Sequence, residues 1–203
     1  MMTNHYQMKA PLKTETEADE WSKTLFGRSK KAYRMVPNLY QAMANAPEIL
    51  QSYMDCYQNF REHSGFDPAE QEVILLVISY ENGCEYCMAA HSTMADFYSK
   101  VPAEVTEAIR TDSLIPDAKL RALAEMTKEM LLSRGRPNSS CVEQFLASGY
   151  QEKQLLDIVL AIATKTLSNY TNHLFSTPVD TAFKAREFKA VQFAARVFNY
   201  FRK

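Results

Sequence analysis

Residues 72–91 read EVILLVISYENGCEYCMAAH, and the fold is decided by how this stretch turns. Glu72 opens an apolar run that breaks at Asn82-Gly83, and Cys84-x-x-Cys87-x-x-x-His91 follows at once. Upstream, Asp67 can cap a helix whose first residue is Pro68, with Glu70 three positions past the cap reaching back to the cap's amide. The pattern predicts a helix from Pro68 to about Tyr80, ended by Gly83 in the left-handed conformation. A second helix then starts near Cys84 and runs to about Tyr98, giving a core hairpin over 68–98. Both sulfurs fall in or beside its first turn, where unsatisfied amides and the positive dipole end favour a thiolate. His91 lies one turn past Cys87 on the same face. If the two helices fold back on each other, Glu72 joins two thiols and an imidazole.

The pattern outward from the hairpin is helical throughout. Pro47, Pro68, Pro102 and Pro116 each precede a helical period, and Gly27, Gly65, Gly83, Gly135 and Gly149 each read as an end. No alternating strand interrupts them, so the chain reads as a single all-α domain over 1–203. After a loose arm over 1–13, a helix is expected from Thr14 to about Met35, then a turn at Val36-Pro37-Asn38 leading to a short helix through Ala44, and a helix from Pro47 to just before Gly65. Beyond the hairpin come Pro102–Arg110, Pro116–Arg134 and a short helix opened by a Ser140-x-x-Glu143 capping box. Gln151–Phe175 is one long helix or a broken pair, and Thr181–Phe201 is a last helix with phenylalanines on several sides. An offset of 84 residues lays Ser168-Asn-Tyr-Thr171 on Cys84-Glu-Tyr-Cys87 and aligns apolar positions upstream, a degenerate internal repeat if it is real.

Composition narrows the function. A formal net charge of −1 without a basic run gives no case for nucleic acid. The first residues lack a signal-peptide core, and no apolar run reaches membrane-spanning length, so the expected location is the cytoplasm. Four cysteines are too few for a secreted disulfide scaffold, and a C-x-x-C pair in a reducing compartment points to redox or metal chemistry. Structural zinc takes four ligands; Cys84, Cys87 and His91 supply three, and Cys56 and Cys141 have no motif tying them to the others. Redox, metal and purely structural readings of the bare spacing all stand. Glu72 is either a dipole-favoured first-turn residue or a buried carboxyl whose raised pKa lets it shuttle a proton. Cys56 and Cys141 read as buried inert thiols, His5 and His63 as surface residues, and His173 as a structural or helix-end group. No dinucleotide or phosphate loop is present, and no cofactor is called for.

The run Glu72, Cys84, Cys87, His91, with Asn82-Gly83-Cys84-x-Tyr86-Cys87 and Ala89-Ala90-His91 inside it, resembles the AhpD-like alkylhydroperoxidases of the carboxymuconolactone decarboxylase family. Weaker similarity extends from Val36-Pro37-Asn38 to the Asn-Tyr-Thr-Asn-His run at 169–173. The resemblance implies an all-α fold, assembly as a homotrimer or homohexamer, a hydroperoxide substrate, and an external dithiol or protein reductant. It makes Cys87 the peroxidatic thiol, Cys84 the resolving one, and Glu72 and His91 proton relays. Tyr86 stands where well-studied peroxidases of the family carry a histidine. The spacing agrees on the attacking thiol: His91 is one turn from Cys87 and two from Cys84. The alternatives are a C-x-x-C redox sensor or adaptor without peroxidase activity, and the lactone decarboxylation of the family name, for which the thiol pair has no obvious use.

Overall fold

The computed structural model describes residues 5–187. Among them the regular elements are all helices: α1 (Glu20–Tyr33), α2 (Asn38–Met43), α3 (Pro47–His63), α4 (Pro68–Glu81), α5 (Glu85–Phe97), α6 (Ala103–Arg110), α7 (Ala118–Leu132), α8 (Ser139–Ala147), α9 (Lys153–Phe175) and a 3₁₀ helix, Thr181–Glu187. The all-α expectation holds. No helix among the described residues is long and apolar enough to cross a membrane.

α4 is the axis. Every residue from Glu70 to Ser79 is buried, as a helix apolar on all sides requires, and α5, α6, α7 and α9 pack around it. Its start is the predicted capping box: Asp67 accepts from the Ala69 and Glu70 amides, and the Glu70 carboxylate accepts from the Asp67 amide. Gly83 has φ +64°, the left-handed residue that lets α5 double back along α4. The hairpin lies between two apolar clusters. One gathers Val73–Ile78 with Phe60, Leu123, Met126, Phe145 and Ile158. The other gathers Leu25, Phe26, Leu39, Tyr40 and Tyr53 from α1–α3 around Cys84, Tyr86 and Cys87.

Several boundaries differ from the sequence reading. α1 starts at Glu20 rather than Thr14, because Asp19 takes the cap by accepting from the Ser22 amide. Gly27 therefore sits inside α1, not at its end. The arm is tied down: Met8 N–H donates to Leu174 O at 2.8 Å and Lys13 N–H to Gln41 O at 3.0 Å. α8 is capped by Asn138, which accepts from the Cys141 amide and from Ser140 Oγ, so the Ser140–Glu143 box does not form. Gln151–Phe175 resolves into one unbroken α9, and the repeat offset sets Leu167 in mid-helix opposite the Gly83 turn, so the two stretches differ in shape. The last expected helix begins as 3₁₀ at Thr181, and its Phe188, Phe193, Phe198 and Phe201 lie outside the described residues.

Candidate active site

Cys84 is the N-cap of α5 and Cys87 its third helical residue, and both side chains are buried free thiols. α9 supplies what faces them. Asn172 Nδ2 donates to Cys87 Sγ at 3.4 Å and to Cys84 Sγ at 3.6 Å, and Ser168 Oγ lies 3.9 Å from Cys87 Sγ. One turn before Ser168 on the same face is Lys165, fully buried, its Nζ without a hydrogen-bond partner. Burial pushes the Cys87 thiol up, but the hydrogen bond from the Cys84 thiol, the Lys165 ammonium and His91 outweigh it and hold Cys87 well below the ordinary thiol value. Cys84 moves the other way, raised by donating to Cys87 and by its own burial. The two thiols are thus differentiated, and Cys87 is the one inclined to ionise.

His91 Nδ1 is 2.9 Å from Glu72 Oε2, and Glu72 Oε1 accepts from Arg61 of α3. Arg61 also donates to Tyr57 Oη at 2.7 Å and Gln71 Oε1 at 3.1 Å. The hairpin therefore closes as required, and Glu72, Cys84, Cys87 and His91 share one region. Of the two readings of Glu72, its burial holds but the raised pKa does not: burial pushes the carboxyl up, and His91 and Arg61 outweigh it and keep Glu72 an ionised carboxylate. An ionised Glu72 accepts a hydrogen bond from Nδ1–H, which leaves Nε2 as the basic nitrogen of a neutral imidazole. Burial and the Lys165 charge hold His91 below its usual value despite Glu72.

Two cavities reach this region from different sides. An aromatic one of about 510 Å³ has Tyr40, Tyr53, Tyr57, Tyr86, Phe183 and His91 in its wall. A polar one of about 930 Å³ opens on Cys84, bordered by Asn82, Glu85, Asn172 and His173. Tyr86, between the cysteines, donates to Asp180, which also accepts from the Asn38 amide. Tyr86 is thus a tie between α5, α2 and the segment before the 3₁₀ helix.

The remaining candidates stand outside the cluster of Glu72, Cys84, Cys87 and His91, although His5 and His173 border the cavity that opens on Cys84. His173 is exposed in the last turn of α9, and His5 and His63 are exposed. Cys56 and Cys141 are only partly buried, which corrects the expectation of fully buried thiols. Among the described residues no group of three or more His, Cys, Asp or Glu is placed to hold a metal ion.

Residues 47–129 match the model of the carboxymuconolactone decarboxylase family. That span includes Arg61, Glu72, Cys84, Cys87 and His91, whereas Lys165, Ser168 and Asn172 lie beyond it. No curated protein sequence matches the chain. The fold is that of the alkylhydroperoxidase AhpD core, represented by a peroxidase-related protein from Ralstonia eutropha JMP134 with a TM-score of 0.75 and 20% identity over 88% of this chain and 95% of that one. A peroxidase-related protein from Silicibacter sp. TM1040 gives 0.72 and 20% identity over 90% and 97%. The debrominase Bmp8, as a cysteine-to-alanine variant in complex with 2,3,4-tribromopyrrole, gives 0.71 and 15% identity over 93% and 99%.

Sequence reasoning missed Arg61, Lys165, Ser168 and Asn172. A signal existed for one of them. Lys165 is the only Asp, Glu, Lys or Arg between Asp157 and Asp180, a lone charge in an otherwise uncharged stretch.

Proposed function

We propose that the protein is a thiol-dependent hydroperoxidase whose Cys84–Cys87 pair cycles between dithiol and disulfide. The observation that carries this reading is geometric: two buried free thiols at a helix start, both within reach of Asn172 Nδ2 at 3.4 and 3.6 Å, with His91 one turn on and fixed by Glu72 at 2.9 Å. A thiolate is the form that attacks the O–O bond. Cys87 Sγ bonds to the terminal peroxide oxygen, the O–O bond breaks, and the alkoxide leaves with a proton exchanged through His91. The Cys84 thiol then attacks the Cys87 sulfenic acid, forming the disulfide and releasing water. An external dithiol returns the pair to its reduced state by exchange and is itself oxidised. Cys84, which borders the polar cavity, is the sulfur that such a reductant reaches.

The two serine variants test the assignment. Cys87→Ser is expected to consume no peroxide. Cys84→Ser is expected to react once and stall with a Cys87 sulfenic acid that a dimedone-type reagent labels. His91→Ala and Glu72→Gln should slow the first step by roughly 10²–10⁴-fold, the usual worth of positioned acid–base groups. Label on Cys84 in Cys87→Ser, with none on Cys87 in the reciprocal variant, reverses the roles.

The aromatic wall favours one second reading, reductive removal of halogen from a planar aromatic substrate, in which the dithiol becomes a disulfide and C–Br becomes C–H with loss of HBr. Bmp8 shares the fold and is a debrominase. Bromide release from a brominated pyrrole, in protein that leaves hydroperoxides untouched, would put this reading first.

A further inference from the structure

The cycle above gives Lys165 no step, yet no other side chain at the site is placed at such cost. The side chain is fully buried and its Nζ makes no hydrogen bond. An ammonium in that position is expensive unless an anion compensates it. The surroundings of the pair offer one such anion. Lys165 shares a face of α9 with Ser168 and Asn172, whose side chains lie against the two sulfurs, and its charge acts on Cys84 and Cys87. The other groups felt by Cys87 are the Cys84 thiol and His91 of its own hairpin, with Glu72 behind His91 already paired to Arg61. The Tyr53 and Tyr86 phenols lie near enough to feel the Cys87 charge, and burial holds both neutral.

Only one redox state supplies that anion. Reduction of the disulfide takes two electrons and one proton and gives a Cys87 thiolate and a Cys84 thiol. Oxidation removes the thiolate charge and leaves the ammonium enclosed with neither anion nor hydrogen bond. We propose that Lys165 sets the redox poise of the Cys84–Cys87 couple: its buried charge favours the dithiol over the disulfide, so the disulfide is a strong oxidant that accepts electrons from weakly reducing thiols. Stabilisation of the reduced form is the general route to an oxidising disulfide. The proposal rests on the dithiol–disulfide cycling of the proposed function and not on peroxide as the oxidant.

The test equilibrates the full chain in glutathione redox buffers and reads the disulfide fraction by thiol alkylation. Lys165→Met should shift the equilibrium toward disulfide by at least about tenfold, equivalent to about 30 mV for a two-electron couple, and Lys165→Arg should restore most of the wild-type value. A Lys165→Met equilibrium equal to wild type overturns the proposal. If Lys165→Met does not fold, the wild type decides through its pH dependence. A thiolate facing Lys165 means one proton per two electrons near neutral pH, whereas the glutathione couple takes two, so the equilibrium against glutathione changes about tenfold per pH unit. An equilibrium against glutathione that does not change with pH near neutrality means two protons and no thiolate, and overturns the proposal. Wild-type protein that cycles but ignores hydroperoxide removes only the peroxidase reading, whereas protein that never forms the disulfide removes both.

Discussion

His91 and Cys87 together set the pH at which the site can work, and both are displaced in the same direction. Burial and Lys165 hold the imidazole below its usual value, and Cys87 is held below the ordinary thiol range by Cys84, Lys165 and His91 against its burial. The first chemical step needs a thiolate and an unprotonated base. A lowered pKa keeps each in its deprotonated form to more acidic pH, so acid removes activity only after the solution falls below the ordinary values. Single-turnover peroxide consumption should therefore stay flat from about pH 8 down to the usual histidine pKa of about 6.5, and decline below it. Lys165→Met removes a positive charge felt by both groups, raises both pKa values and moves the acid limb upward. A wild-type limb centred above pH 7 contradicts the assignment. Glu72, Cys84, Cys87 and His91 were legible in the sequence because one hairpin fixes their geometry by spacing alone. Arg61, Lys165 and Asn172 were not, since α3 and α9 bring them in by packing that no local pattern encodes.

Among the elements, the hairpin turn and α1 make opposite predictions for the same substitution. Gly83 has φ +64°, and a Cβ added there would meet nothing within 4 Å, so its only constraint is the backbone conformation that ends α4. Gly83→Ala should destabilise by about 1 kcal/mol through left-handed strain, with Gly83→Asn milder. Gly27 also has open space around it but lies inside α1 with no positive φ, so Gly27→Ala should stabilise by about 0.5–1 kcal/mol. Denaturant midpoints of the two variants check the pair, and equal signs would refute the distinction. This contrast also marks where the pattern misled. Reading every glycine as an end does not hold at Gly27, which lies inside α1, a helix that ends at Tyr33. The hairpin was read closely because Asp67-Pro68, Glu70 and Gly83 are local signals, each satisfied by its own neighbours. The arm was misread for the opposite reason. Its hydrogen bonds to Leu174 and Gln41 reach distant parts of the chain and leave no trace in residues 5–13 themselves.

At the scale of the whole molecule, α9 is amphipathic in the wrong sense for a monomer. Seven of its nine buried residues are polar: Gln154, Asp157, Thr164, Lys165, Ser168, Asn169 and Asn172. Its exposed face carries Leu156, Val159, Tyr170 and Leu174, which are 71%, 46%, 56% and 44% exposed. At 3.6 residues per turn these four return to one side of the helix, opposite the site. The inward face is accounted for by Gly65, which Gln154 and Asp157 hold, by Asn82, which bonds Asn169, and by the sulfurs that Ser168 and Asn172 touch, but water gives no reason for the outward one. An apolar stripe of this kind marks an association surface, and each leucine covered there contributes about 1.5–3 kcal/mol. The expected outcome is a homo-oligomer, a trimer or hexamer, with the α9 stripe in its interface. Light scattering at micromolar concentration should give that mass for the wild type. The double variant Leu156→Glu, Tyr170→Glu should fall to monomer while keeping its helical circular dichroism, since neither side chain contributes to the core. A monomeric wild type defeats the expectation. A variant that stays assembled moves the interface off α9.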